Sequence, residues 1–186
     1  MSFTGTQEKQ LREEEGTELI RPKSSHHLLA IKVENKFGVL SRVAGLFSRR
    51  GFNIVSLAVA PTEDERFSRI SIVVDAESAP LEQVVSQLNK LINVVEIKQL
   101  HPDDAIEAEL LLATLKVDKS SLVGIEKTVT KYKAHILEKN DSLITISCAG
   151  TPTKLDELEN LLQSYEIVAL HRTGQIALPK LEFLAK

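Results

Sequence analysis

The chain has 186 residues, room for one ordinary domain or two of about 70 to 80 residues, and two small domains fit the pattern below. With 23 basic against 26 acidic residues, a net charge of −3 and aromatics at 4% without tryptophan, it lacks the basic surplus and the stacking rings on which nucleic-acid binders rely. Its 42% hydrophobic residues come in strand-sized runs, short of the roughly 20 residues needed to cross a membrane, so a soluble globular protein is expected. The single cysteine, Cys148, allows no intrachain disulfide; it reads as a small buried hydrophobe on a strand in a reducing, cytoplasmic setting.

Residues 1–26 are polar, carry the run Glu13-Glu14-Glu15 and have no apolar core of a secretory signal; they read as a flexible N-terminal tail. From His27 the residues alternate in the period-2 manner of a strand, up to the break Asn35-Lys36-Phe37-Gly38. Val39, Leu40, Val43, Ala44 and Phe47 then recur at helical spacing, with Ser41, Arg42, Ser48 and Arg49 opposite, and Arg49-Arg50-Gly51 stops the helix. Asn53 to Ala60 and Phe67 to Asp75 read as strands joined by the charged hairpin Thr62–Arg66, with Pro61 ending the first of them. Ala79-Pro80 opens a helix carrying Leu81, Val84, Val85, Leu88, Leu91 and Ile92 on one stripe, and Val94 to Leu100 closes the unit as a fourth strand.

After the polar break His101–Asp104 the order begins again. Glu109 to Val117 is a strand; Leu122, Ile125, Val129 and Tyr132 mark a helix; Ala134–Glu138 and Leu143–Ala149 flank the turn Lys139-Asn140-Asp141; Leu155, Leu158, Leu161, Leu162 and Tyr165 mark a second helix; Ile167 to His171 is the last strand. The fold class is therefore α+β, with two tandem ferredoxin-like βαββαβ units, each bearing two helices on one face of an antiparallel sheet. Ile and Val on both parities of the second and third strands imply that the other face of the first sheet is also covered, most simply by a second copy of that sheet or by a neighbouring subunit.

No catalytic or metal-binding group emerges. Adjacent His26 and His27 point to opposite faces of a strand, Asp103-Asp104 sit in a polar linker, and no nucleophile, base and oxyanion donor converge. Gly38, Gly45 and Gly51 match neither the dinucleotide nor the P-loop spacing. The turn Asn35–Gly38 stands directly before a helix, where free N–H groups attract a carboxylate or phosphate; a capped turn that binds nothing is the other reading of the same residues.

The run from Val33 to Thr62 (VENKFGVLSRVAGLFSRRGFNIVSLAVAPT), followed by Phe67–Val74 (FSRISIVV), closely resembles the amino-terminal ACT domain of the regulatory (small) subunits of acetolactate synthase. Glu109–Val117, Ala149–Asp156 and His171–Leu178 resemble that family's carboxy-terminal domain, so the likeness spans about residues 27 to 180. The resemblance implies an ACT domain over 27–101 that binds an effector, and a second ferredoxin-like domain over 108–180. It implies a non-catalytic subunit that activates a catalytic large subunit and confers feedback inhibition by valine or another branched-chain amino acid. Thiamine diphosphate, Mg²⁺ and FAD belong, on this reading, to the catalytic partner, and none to this chain. The family's effector site lies where two ACT domains meet in a homodimer. Carried over by position, it comprises Asn35, Lys36, Phe37, Gly38, Val39 and Leu40 of one copy facing Asn53 and Ile54 of the other. Phe37 departs from the family's usual Pro or Ser and puts the choice of effector in question. A stand-alone amino-acid-sensing regulator of another enzyme or of a transcription factor is the alternative. An RNA platform is disfavoured, because the third strand lacks a stacking pair of aromatics.

Overall fold

A computed structural model describes residues 26–75, 81–118 and 120–184; the tail expected over 1–26, apart from His26, and the helix opening at Ala79-Pro80 lie outside them. The first unit contains β1 (His26–Glu34), α1 (Val39–Arg49), β2 (Ile54–Pro61), β3 (Phe67–Asp75), α2 (Leu81–Leu88) and β4 (Val94–Leu100). Its strands lie in the order β2-β3-β1-β4, every ladder antiparallel. Side chains paired across strands share a face, so Leu29 and Ile31 join Ile72 and Ile70 beneath the helices. Val39, Val43 and Phe47 of α1 and Leu81, Val84 and Leu88 of α2 close that layer. Each such side chain contributes about 1.5–3 kcal/mol on burial. Gly38 and Gly51, at φ 78° and 74°, bracket α1 with left-handed residues that let the chain enter and leave it abruptly.

The second unit contains β5 (Ala105–Lys116), α3 (Leu122–Tyr132), β6 (His135–Lys139), β7 (Leu143–Gly150), α4 (Pro152–Leu162), β8 (Ile167–Arg172), β9 (Ile176–Pro179) and the single turn α5 (Leu181–Leu184). The order β6-β7-β5-β8 repeats that of the first sheet. The Asp118 carboxylate accepts from the N–H groups of Ser120 (2.9 Å) and Ser121 (2.8 Å) and shapes the turn into α3, while the Thr151 hydroxyl accepts from Lys154 N at 3.4 Å before α4. Leu111, Leu115, Ile144, Ile146 and Cys148 meet Ile125, Leu155, Leu158 and Leu162 in the second core. The architecture is thus two tandem ferredoxin-like units.

Several local expectations change. The helical stripe from Leu81 ends at Leu88, because Lys90 N and Leu91 N fold back on the carbonyls of Gln87 and Leu88. Leu91 still packs on the core, but Ile92 is 91% exposed. Leu40 also leaves the buried stripe: the inward positions are Val39, Val43 and Phe47, and Leu40, one residue round the helix, is exposed. Tyr165 packs against the second core from beyond the end of α4. The break at His101–Asp104 is a single 3₁₀ turn, in which Asp103 N donates to His101 Nδ1 at 3.4 Å.

The largest change concerns the outer face of the first sheet. β5 begins at Ala105, and its first residues pair with β9, Ala105 opposite Pro179 and Ala108 opposite Ile176. This two-stranded arm lies on the first unit, where Ala105 and Ala177 close over Leu28, Ala30, Val73 and Leu100 with Val55 beside them. Part of the cover expected from another copy therefore comes from the chain itself. Among the described residues no helix is long and apolar enough to cross a membrane.

Candidate functional site

The polar turn after β1 is fastened to the hairpin between β2 and β3. Asn35 N donates to Arg66 O at 2.7 Å and its side-chain amide donates to Glu65 O at 3.0 Å, so Asn35 holds the hairpin and does not cap α1. Below it, the Glu34 carboxylate accepts from Asn93 Nδ2 at 2.5 Å and from Lys36 Nζ at 3.1 Å, and Arg42 donates to Asn93 Oδ1 at 3.0 Å. The hydrogen bond from Asn93, then that from Lys36, lowers the Glu34 carboxyl below its ordinary value. The hairpin is braced by Arg66, whose hydrogen bonds hold the Asp64 carboxyl at about 2.

This bracing presents the start of α1 to solvent. Gly38 is its N-terminal flanking residue; no side chain caps it and its first turn carries no acid. Val39 N is occupied by Lys36 O, so Leu40 and Ser41 supply the orphan donors of the first turn. A carboxylate placed there would gain about 0.3–1 kcal/mol, and up to about 2 in partly buried geometry, from the helix dipole. Val39 is buried beneath the turn, Leu40 lies at its rim and Phe37 projects fully into solvent. The Phe37 ring does not fold over the helix start.

Asn53 and Ile54 stand elsewhere. Asn53 O accepts from Asp75 N at 3.2 Å, its side chain is exposed, and Ile54 leans on the first core opposite Val74. The Asn35 turn lies at the other end of the sheet, beyond Glu34 paired with Phe67. From Phe67 to Val74 the strand advances roughly 24 Å, so one chain does not bring the two halves together. β2, however, is an edge strand, paired along one side to β3, and Leu57 and Val59 on its helix side remain 36% and 48% exposed.

The second unit's polar centre was not visible in the sequence. Arg172 grips Glu109 with two hydrogen bonds, Nε to Oε1 at 3.0 Å and Nη2 to Oε2 at 2.5 Å, and Nη1 reaches Asp156 at 2.5 Å and Glu159 at 3.1 Å. Burial works against its charge, and the hydrogen bonds and fields of Glu109 and Asp156 overcome that and raise the guanidinium above its ordinary value. Nearby, burial raises the Glu107 carboxyl against a hydrogen bond from Gln175. A cavity of about 460 Å³ between the units is lined by Leu28, Ser56, Val73, Glu107, Arg172 and Gln175 among others. Among the described residues no cluster of three or more His, Cys, Asp or Glu is arranged to hold a metal ion.

Residues 29–96 match the family described as AHAS small subunit-like ACT domain, and residues 108–181 the family described as small subunit of acetolactate synthase. The acetolactate synthase small subunit of Mycolicibacterium smegmatis is 42% identical over 154 residues, spanning 83% of this chain and 91% of that protein. The probable acetolactate synthase small subunit of Archaeoglobus fulgidus is 38% identical over 152 residues, 82% of this chain and 95% of its own length. The crystal structure of the acetolactate synthase small subunit from Thermotoga maritima superposes with a TM-score of 0.77 at 31% identity, covering 83% of this chain and 97% of that one. Both units, in this order and over nearly the whole length of these relatives, place the chain in the acetolactate synthase small subunit family.

Proposed function

We propose that this chain is the non-catalytic regulatory subunit of acetolactate synthase in branched-chain amino acid biosynthesis. It binds the thiamine-diphosphate catalytic subunit and raises its activity, and it confers inhibition when valine or a close homologue occupies a site shared by two copies of the first unit. Thiamine diphosphate, Mg²⁺ and FAD are assigned to the catalytic partner.

The observation that carries the effector site is the separation of its halves. An uncapped helix start and the Asn53–Ile54 segment lie at opposite ends of one sheet whose edge strand β2 pairs, among the described residues, with β3 alone. Antiparallel pairing of two β2 edges about a two-fold axis would set Ile54 of one copy toward Pro61 of the other, beside the hairpin to which Asn35 is bound. A carboxylate would then meet Leu40 N and Ser41 N, and a branched side chain would be enclosed by Leu40 and Ile54. Burial of a valine side chain is worth about 1.5–3 kcal/mol. Ligand favours inhibition only if it binds one mutual arrangement of the copies better than the other.

Thermal melting of the purified chain against millimolar free amino acids tests this. A ligand at 100 times its Kd stabilises by about 2.7 kcal/mol, which for a chain of this size raises Tm by roughly 5–11 °C. Valine or a close homologue should raise Tm, and Asn35→Ala should erase that rise along with inhibition of the reconstituted enzyme while activation persists. A rise that survives Asn35→Ala removes Asn35, and its hold on the hairpin, from the site. Failure to co-purify with the catalytic subunit would favour the stand-alone regulator.

A further inference from the structure

The five residues from Asn53 to Leu57 do two things. Asn53 and Ile54 belong to the candidate effector site; Val55, Ser56 and Leu57 touch the second unit. A β-bulge between Ile54 and Ser56 changes the register on β3, so that Ile54 faces the helices opposite Val74 while Ser56 faces the outer side opposite Val73. Val55, the bulged residue, lies against the apolar cluster that joins the units. The Ser56 hydroxyl accepts from Gln175 N at 2.7 Å, across 119 residues of sequence. Gly174, in the left-handed region at φ 84°, lies so close that a Cβ there would stand 3.0 Å from both Leu57 O and Ser56 Oγ.

The other side of this contact is firmly held. Thr173 N donates to Leu110 O at 3.0 Å and the Thr173 hydroxyl accepts from Leu110 N at 3.1 Å, so a side chain replaces one rung of the β5 ladder. Arg172, the residue before Thr173, is locked to Glu109, Asp156 and Glu159. A displacement of Gly174-Gln175 is therefore imposed on β5, β8 and α4 together.

We propose that Ser56, Gly174 and Gln175 form the joint through which the state of the effector half-site at Asn53–Ile54 reaches the second unit, with Ser56 as a positioning residue that contacts no ligand itself. The proposal rests on the effector reading above, and its test separates the two. Hydrogen exchange of the backbone amides of residues 171–178 is followed in the full chain, alone, in four forms: unsubstituted, Asn53→Ala, Ser56→Ala and both together. Asn53→Ala should change the exchange rate of this segment at least threefold when Ser56 is present and leave it within a factor of 1.5 in the Ser56→Ala background. In the complex with the catalytic subunit, Ser56→Ala should bind valine with a Kd within twofold of the unsubstituted chain and lose at least half of the maximal inhibition. Ser56→Thr, which keeps the hydroxyl, should restore that inhibition. An unchanged exchange rate on Asn53→Ala overturns the joint, as does full inhibition in a Ser56→Ala complex that binds valine normally. A segment that answers Asn53→Ala through Ser56 in a chain that binds no amino acid supports the joint and overturns the effector reading instead.

Discussion

Replacement of Arg172 by methionine probes the second unit at its most charged point. The guanidinium is 12% exposed and faces Glu109 at 8%, Glu159 at 28% and Asp156 at 34% exposure. Without it the three carboxylates lose the guanidinium they share, and Glu109 suffers most because water reaches it least. Breaking a buried pair from one side costs about 3–5 kcal/mol; at roughly 2–4 °C per kcal/mol for a chain of this size, Tm should fall by roughly 6–20 °C at neutral pH. Chemical denaturation followed by circular dichroism, with melting as a second reading, would measure it. Arg172→Met with Glu109→Met should recover part of the loss, since well-packed apolar pairs replace buried ion pairs at little cost. A loss below about 1 kcal/mol, the value typical of an exposed ion pair, would refute the reasoning and make Arg172 an ordinary surface residue.

Gly38→Ala has open space around its new methyl group, but φ 78° costs a residue with Cβ about 1–2 kcal/mol, so a modest fall in denaturation midpoint is expected with the fold intact. Asp64 titrates at about 2 in the folded chain against 3.8 ordinarily; the Arg66 brace should be complete above pH 4 and lost as pH falls toward 2, which an NMR titration of the Arg66 amide would follow. Glu107 shifts the other way: its charged form costs stability above its raised value and nothing below its ordinary 4.5, so Glu107→Gln should raise Tm at pH 8 and leave it unchanged near pH 4. Leu57→Asp places a charge on the partly exposed edge strand β2, and light scattering should show loss of the proposed dimer while circular dichroism stays the same. A dimer that survives Leu57→Asp would move the copy-to-copy contact away from β2.

The alternation of β1 and β3, the stripes at Val39, Val43 and Phe47 and at Leu155, Leu158 and Leu162, the Arg49–Gly51 stop and the repeat of βαββαβ were all legible in the sequence, because each depends on residues a few positions apart. The family was legible for the same reason, through an unbroken run from Val33 to Thr62. What the tertiary structure alone decided lies at long separation or in very short segments. β9 has four residues, Ile-Ala-Leu-Pro, too few for periodicity to declare a strand, and it reaches Ala105–Ala108 only through the short connection Thr173–Gln175 that follows β8. Leu40 and Ile92 kept a helical rhythm that packing did not honour. The Asn35 amide, which composition and position suit equally to a cap or a ligand, is spent on Glu65 O, 30 residues away. Asn53 shares a motif with Asn35 yet stands at the far end of the sheet, because β1 and β2 both pair antiparallel to β3 and so begin at the same end. Ser56 with Gln175, and Arg172 with Glu109, are 119 and 63 residues apart; no local pattern encodes such pairs, since the first exists only once the two units are set side by side and the second only once β8 has paired with β5.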